Sequence, residues 1–335
     1  MEWRRGQTIG RGSSATVSMA SCCGSGEVFA VKSVELSHSE WLQREEKFLC
    51  SMSSPYIVSY RGSDITSENN RLMYNLKLEY VAAGTLSDVI RRKGRGLDEA
   101  MIRCYTQQIL RGLEYLHLSG VAHCDIKGTN ILIGEAGAKI ADLGCAKRVD
   151  EDSDLTATFG GTPMFMAPEV ARGEEQGFVA DIWALGCTII EMATGDSPWP
   201  NHSDPMSILY QIAYSGKTPD VPEYLSCQAK DFVSKCLKRD PAERWTVKQL
   251  LRHPFLEHLS YVKNQNQFSD TNSPTSILDQ GVWNSVEEEP ETSADVFDLQ
   301  TRYLSSGPDQ RIAQLLSTSR VPNWTCEETW ITIRG

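Results

Sequence analysis

The chain has 335 residues, 40% of them hydrophobic, and a formal net charge of −11. Its length and apolar content allow one large domain or two modest ones, and its acidic balance excludes nucleic-acid binding through a general electrostatic field. No run of eighteen apolar residues occurs, so no membrane insertion is expected.

The first patterned stretch is "TIGRGSSATV" (8–17), followed by "EVFAVKSVEL" (27–36). Gly10 and Gly12 let backbone N–H groups close over phosphate oxygens with no Cβ in the way. Alone, that pair fits an ordinary tight hairpin equally well. Alternation in the next strand puts Ala30, Lys32 and Val34 on one face, so Lys32 points where apolar neighbours point and needs an anion. The helix expected over 39–52, "SEWLQREEKFLCSM", has an apolar stripe through Leu42, Leu49 and Met52, and Glu45 falls on it. Glu45 is the expected partner of Lys32, whereas Glu46, about 100° further round, is expected to face water.

"MIRCYTQQILRGLEYLHLSG" (101–120) reads as an amphipathic helix with a glycine stop at Gly120. "HCDIKGTNIL" (123–132) then places Asp125, Lys127 and Asn130 within six positions. "NILIGEAGAKIADLG" forms two short apolar strands with Asp142 at the end of the second. Phosphoryl transfer requires a carboxylate to take a hydroxyl proton, an ammonium beside it, and an amide with a second carboxylate to hold Mg2+. Positioning and charge neutralisation do most of the work in that reaction.

Composition breaks near residue 258. The stretch 259–335 holds eleven acids against five bases, with "NQNQFSDTNSPTS" and "SVEEEPETSAD", and reads as a mostly disordered tail with a short amphipathic piece near "QRIAQLLS". The start, Met-Glu-Trp-Arg-Arg-Gly, has no apolar signal core and no glycine at position 2. The expectation is an intracellular protein of the cytoplasm, with the nucleus as a second compartment. The ten cysteines include no C-x-x-C pair and are expected to be free thiols.

Gly10-x-Gly12, Ala-Val-Lys32, Glu45, His-Cys-Asp125-x-Lys-x-x-Asn130, Asp142-Leu-Gly144 and Ala-Pro-Glu169 follow one another in the order of a protein kinase. "DIWALGC" (181–187) and "RDPAERWT" (239–246) extend the resemblance over 3–258. It implies a two-lobed α+β fold: a small β-rich lobe with one helix over about 1–80 and a larger helical lobe over about 84–258. It also implies ATP and Mg2+. Asp125 resembles the catalytic base, Lys127 the residue that steadies the γ-phosphate, and Asn130 and Asp142 the metal ligands. Lys32, paired with Glu45, matches the α/β-phosphate contact. The nucleotide would lie against Ile9, Gly10, Arg11, Gly12, Ser13, Ser14 and Ala15, with Val17, Ala30 and Leu132 around adenine. Leu78 is at the gatekeeper position before the hinge Glu79-Tyr80-Val81. Glu169 would pair with Arg244, and Asp181 would brace the catalytic-loop backbone.

Lysine two positions after the base and "GTPMFMAPE" resemble serine/threonine kinases rather than tyrosine kinases. "CLKRDPAERWTVKQLLRHPFL", "GTLSDVIRRKG" and "GTPMFMAPEV" are similar to mitogen-activated protein kinase kinase kinases of the MEKK type, and the short N-terminus to a compact plant subgroup. The implied substrates are MAP kinase kinases in a stress or hormone cascade. A downstream MAP kinase, acting at Ser273-Pro274, and regulators binding the tail are further expected partners. The alternatives are a pseudokinase scaffold, although Lys32, Asp125 and Asp142 are all retained, and a small-molecule kinase, which the long segment ending at Ala-Pro-Glu disfavours.

Several positions depart from the pattern. Cys124 stands where most regulated kinases carry an arginine that binds an activation-loop phosphate. Ala15 replaces the last loop glycine and Leu143 a phenylalanine. Cys145 is expected to be a buried, inert thiol, the alternative being a reachable thiol near the nucleotide. The segment 147–165 offers Ser153, Thr156, Thr158 and Thr162; Thr156 and Thr158 are the candidate phosphorylation sites, and Thr162 is expected to hydrogen-bond near Asp125 and Lys127.

Overall fold

The computed structural model describes residues 2–12, 15–149, 160–200 and 204–257. Ser13, Ser14, Ser153, Thr156, Thr158, Ser273-Pro274 and the tail lie outside these residues.

Five strands form one antiparallel sheet in the order β1-β2-β3-β5-β4: β1 (Trp3–Arg11), β2 (Thr16–Cys22), β3 (Val28–Glu35), β4 (Tyr60–Glu68) and β5 (Arg71–Glu79). Ala30 and Lys32 on β3 are buried as alternation requires, and they pair across the ladder with Leu78 and Leu76. The other face of β3 is buried as well. Phe29 and Val31 pack with Ala20 and Trp3, whose ring meets Phe29 edge-on at 5.9 Å. Beside them Arg5 donates to Ser33 Oγ (2.9 Å), Asn75 Oδ1 (2.9 Å) and Glu68 (2.7 Å). Asn75 is 0% exposed in this network. A charge on that face is tolerated because each of its polar neighbours is paired.

Helix α1 (Glu40–Leu49) follows β3 and buries Leu42, Glu45 and Leu49 of the expected stripe, while Met52, partly buried, lies past the end of a helix shorter than the expected 39–52. Beyond β5 the chain becomes mainly helical. Helix α2 (Leu86–Lys93) opens on a capping box between Thr85 and Asp88 and stops at Gly94, which has φ 67°. Helix α3 (Glu99–Leu118) is capped by Asp98, whose carboxylate accepts from Met101 N–H. Its buried stripe runs through Ile102, Ile109, Leu110, Leu113 and Leu116. Gly112 is needed there: a Cβ would lie 2.7 Å from Ile140 Cδ1 and 3.0 Å from Tyr56 O.

The catalytic-loop region is framed by the hairpin of β7 (Ile131–Gly134) and β8 (Gly137–Ile140) and by β6 (Val121–Ala122), which pairs with β9 (Lys147–Arg148). Then come α4 (Pro168–Ala171) and α5 (Phe178–Thr194). Helix α5 is buried from Ala180 to Ala193 except at Glu191, with the fully buried Trp183 among its residues. Among the described residues four more α-helices follow: α6 (Pro205–Tyr214), α7 (Cys227–Cys236), α8 (Val247–Leu250) and α9 (Pro254–Glu257). One apolar core runs without a break from Ala30 and Leu76 in the sheet to Trp183 and Phe255. No described helix is long and apolar enough to cross a membrane.

Candidate active site

The site begins where β3, α1 and the turn after β8 meet. Lys32 Nζ donates to Glu45 Oε2 at 2.8 Å and lies 3.0 Å from Asp142 Oδ1. Burial alone would push the Lys32 ammonium toward neutrality. Asp142 and Glu45 outweigh it and hold the ammonium above its ordinary range. Burial likewise opposes ionisation of Asp142, and the Lys32 ammonium overrides that, so its carboxyl sits below the usual range. Glu45, enclosed on all sides, is pushed up by burial against the pull of Lys32. Asp142 has φ 64° and accepts from Gly144 N–H (3.3 Å), a left-handed conformation that Asp tolerates better than most residues.

The glycine-rich turn closes with Gly12 N–H donating to Ala15 O at 2.9 Å, and Gly10 opposite Val17. Arg11 is exposed and Ile9 partly buried. The β7–β8 hairpin reaches the hinge: an added Cβ on Gly134 would lie 3.0 Å from Val81 Cγ1. Lys139 Nζ donates to both Glu79 oxygens (2.6 and 2.9 Å). The Glu79 side chain is therefore committed to Lys139, and any contact from Glu79 to a base falls to its backbone. Leu132 stands opposite Lys139 on the hairpin, and Leu78 opposite Ala30 on the sheet. Ala30 and Leu78 belong to the common apolar core, and Val17 and Leu132 pack against it.

The loop between β6 and β7 carries the acid, base and amide groups. Asp125 Oδ1 accepts from Thr162 Oγ1 (2.8 Å), and Asp125 Oδ2 from Asn130 Nδ2 (2.9 Å). Lys127 Nζ lies 3.0 Å from Asp125 Oδ2 and donates to Thr162 Oγ1 at 2.6 Å. Thr162 thus has the structural place expected of it. Asn130 spends its amide nitrogen on Asp125, side chain and backbone, which leaves its side-chain oxygen as the acceptor. That oxygen and the Asp142 carboxylate are hard donors of the kind Mg2+ takes. Among the described residues no cluster of three or more His, Cys, Asp or Glu side chains forms an all-protein cage. The donor set fits an ion that keeps waters and phosphate oxygens as its remaining ligands.

A family model described as the protein kinase domain matches residues 3–256. This chain is a protein kinase. Mitogen-activated protein kinase kinase kinase 18 of Arabidopsis thaliana is 50% identical to it over 350 residues, covering 100% of this chain and 99% of the relative. Kinase kinase kinases 17 and 20 of the same plant are 49% and 39% identical, with 93% and 100% of their lengths covered. The kinase belongs to the serine/threonine group of mitogen-activated protein kinase kinase kinases.

Helix α5 holds the kinase's catalytic loop from beneath. Asp181, 1% exposed, accepts from the N–H groups of His123 (2.9 Å) and Cys124 (2.8 Å) and bonds His117 Nε2 (2.9 Å). Below the activation segment Arg244 makes a bidentate pair with Glu169 at 2.6 and 3.0 Å. The same guanidinium donates to Lys238 O and Val179 O. Cys124 is buried, and burial followed by the neighbouring Asp181 charge pushes its thiol well above the ordinary range. Cys145 is partly buried, its thiol pushed up to about 12, first by burial. Both are protonated thiols rather than reactive thiolates.

Three side chains of the site escaped the sequence reading. Glu46 faces water only in part: Tyr60 and Ser63 hydroxyls donate to its Oε1 at 2.6 Å each, and the Tyr74 hydroxyl to its Oε2. Helix periodicity sees only the stripe under the helix, whereas β4 and β5 rise along its flank. Glu191, on α5, accepts from Gly128 N–H (3.0 Å) and Ser87 Oγ (2.6 Å), and burial raises its carboxyl. Its sequence signal is Gly128 itself, where a Cβ would fall 2.6 Å from Glu191 Oε1. Gln176, in the turn before α5, had no signal at all.

Proposed function

We propose that the kinase uses ATP with Mg2+ to phosphorylate MAP kinase kinases on serine or threonine of their activation segments. The observation that carries this reading is likeness along the whole chain to relatives named as kinase kinase kinases, joined to a site that retains Lys32, Asp125, Asn130 and Asp142. In it Asp125 orients the substrate hydroxyl and accepts its proton, and Lys127 steadies the transferred phosphoryl group. Lys32, held by Glu45, meets the α- and β-phosphates. Asn130 and Asp142 would hold Mg2+, which supplies charge neutralisation at the phosphates when bound. The kinase acts in the cytoplasm, with the nucleus as a second compartment. A downstream MAP kinase acting at Ser273, and regulators of the tail, are its further partners.

The test is a panel of kinase-dead MAP kinase kinases offered to the full chain with Mg2+ and ATP. The expected outcome is transfer to one or more of them by wild type, and a loss of about a hundredfold or more in Asp125→Asn and in Lys32→Met. Equal trace signals from all three proteins would leave only the scaffold reading. Robust transfer to unrelated proteins but to no panel member would remove the substrate assignment.

A further inference from the structure

Cys124, two residues past β6, has φ 67°, and neither its N–H nor its C=O belongs to the β6–β9 ladder. Both groups are buried and both need partners from elsewhere in the chain. The N–H goes to Asp181 Oδ1. The C=O goes to Gln176, whose Nε2 donates to it at 3.2 Å and, with its second hydrogen, to Gly160 O at 3.1 Å. A carboxamide has two N–H donors on one nitrogen, and here each ends on a carbonyl of a different segment. Gln176 is 5% exposed.

The consequence runs to Asp125. Gly160 is held beside the catalytic loop, and Gly161, at φ 121°, lies so close over it that a Cβ would be 2.7 Å from Cys124 O. The next residue, Thr162, donates to Asp125 Oδ1 and receives from Lys127. We propose that Gln176 is a positioning residue for phosphoryl transfer: its neutral amide ties the catalytic loop to the substrate side of the activation segment and so sets the Thr162–Asp125 contact. An arginine at position 124 would need an added phosphate to complete such a tie. The amide finds both its acceptors in the backbone and needs nothing added. This rests on reading 123–132 as the phosphoryl-transfer loop.

The test compares full-length wild type, Gln176→Glu (same shape, no donor at the amide nitrogen) and Gln176→Met (similar length, no donor, no charge). Transfer is followed to a kinase-dead MAP kinase kinase and, separately, to myelin basic protein. The expected result is a fall in kcat of about tenfold or more for both variants on both substrates. KM for ATP should stay within about twofold, and any fall in melting temperature should leave both variants folded at the assay temperature. Amides 160–166 should exchange hydrogen faster in the variants, with α5 unaltered. A kcat within about twofold of wild type overturns the proposal. So does a loss confined to one substrate, which would make Gln176 a substrate contact, and so does a parallel collapse of melting temperature and ATP affinity in both variants. If the substrate assignment alone is wrong, wild type transfers to myelin basic protein only, and the variants are still decided there.

Discussion

Position 124 shows how one side chain changes what regulation can act on. A thiol cannot make the paired charge-assisted bonds that an arginine makes to phosphate, and this one is buried and protonated beside Asp181. Phosphate on the activation segment therefore has no guanidinium at this position through which to reach Asp125. Treating purified kinase with phosphatase is expected to lower its activity by less than about a hundredfold, ~2.7 kcal/mol in barrier. A larger collapse, measured on a MAP kinase kinase substrate, would contradict this. The cysteine was legible as a departure, because the flanking His123 and Asp125 set its register. The residue that takes up its carbonyl was not, since Gln176 lies 52 positions away in a loop with no periodicity.

Among the elements, α1 carries Glu45 and so governs whether Lys32 is held in the cleft. Its inner stripe was readable from spacing. Its flank was not, because three hydroxyls that meet Glu46 arrive on β4 and β5. Burial works against the Glu46 carboxylate, and the bonds from Ser63, Tyr60 and Tyr74 more than offset it, leaving the carboxyl below its usual range. A carboxyl whose folded-state pKa is depressed stabilises the fold fully above its unfolded value of about 4.3. That contribution is lost as pH falls through the folded-state value. Glu46→Gln is therefore expected to be less stable than wild type at neutral pH, with the gap closing below about pH 4. Urea denaturation of both proteins between pH 3 and 7 measures it, and a gap independent of pH would contradict a stabilising role for the Glu46 carboxylate. Helix α5 shows the same division. Its sequence marked only Asp181 as a brace, and the structure adds Glu191: the two carboxylates hold the catalytic loop at 123–124 and at 128.

For the whole molecule, the large lobe is closed by a contact between residues 75 positions apart. Glu169 and Arg244 side chains are 3% and 0% exposed, and the guanidinium lies 5.4 Å from the centre of the Trp183 ring. Removing one partner leaves a charge stranded in the core. Arg244→Ala is expected to cost ~3–5 kcal/mol of unfolding free energy, and Glu169→Ala/Arg244→Ala less than the two single changes summed. A cost under about 1 kcal/mol in denaturant titration would show that the pair behaves as an exposed one.

From its sequence alone, this protein's chemistry and its order of elements were determined. Phosphate-closing glycines, a lysine on an inward strand face, and carboxylates at fixed short spacings are local facts. Backbone geometry turns such spacings into faces without reference to anything distant. Only the tertiary structure decided which surfaces meet: Trp3 and Arg5 over the outer face of β3, Lys139 on Glu79, Ser87 and Gly128 on Glu191, Gln176 on Cys124. A buried polar group must find a partner somewhere. Its identity depends on which segments the common core brings side by side, and no periodicity along the chain encodes that.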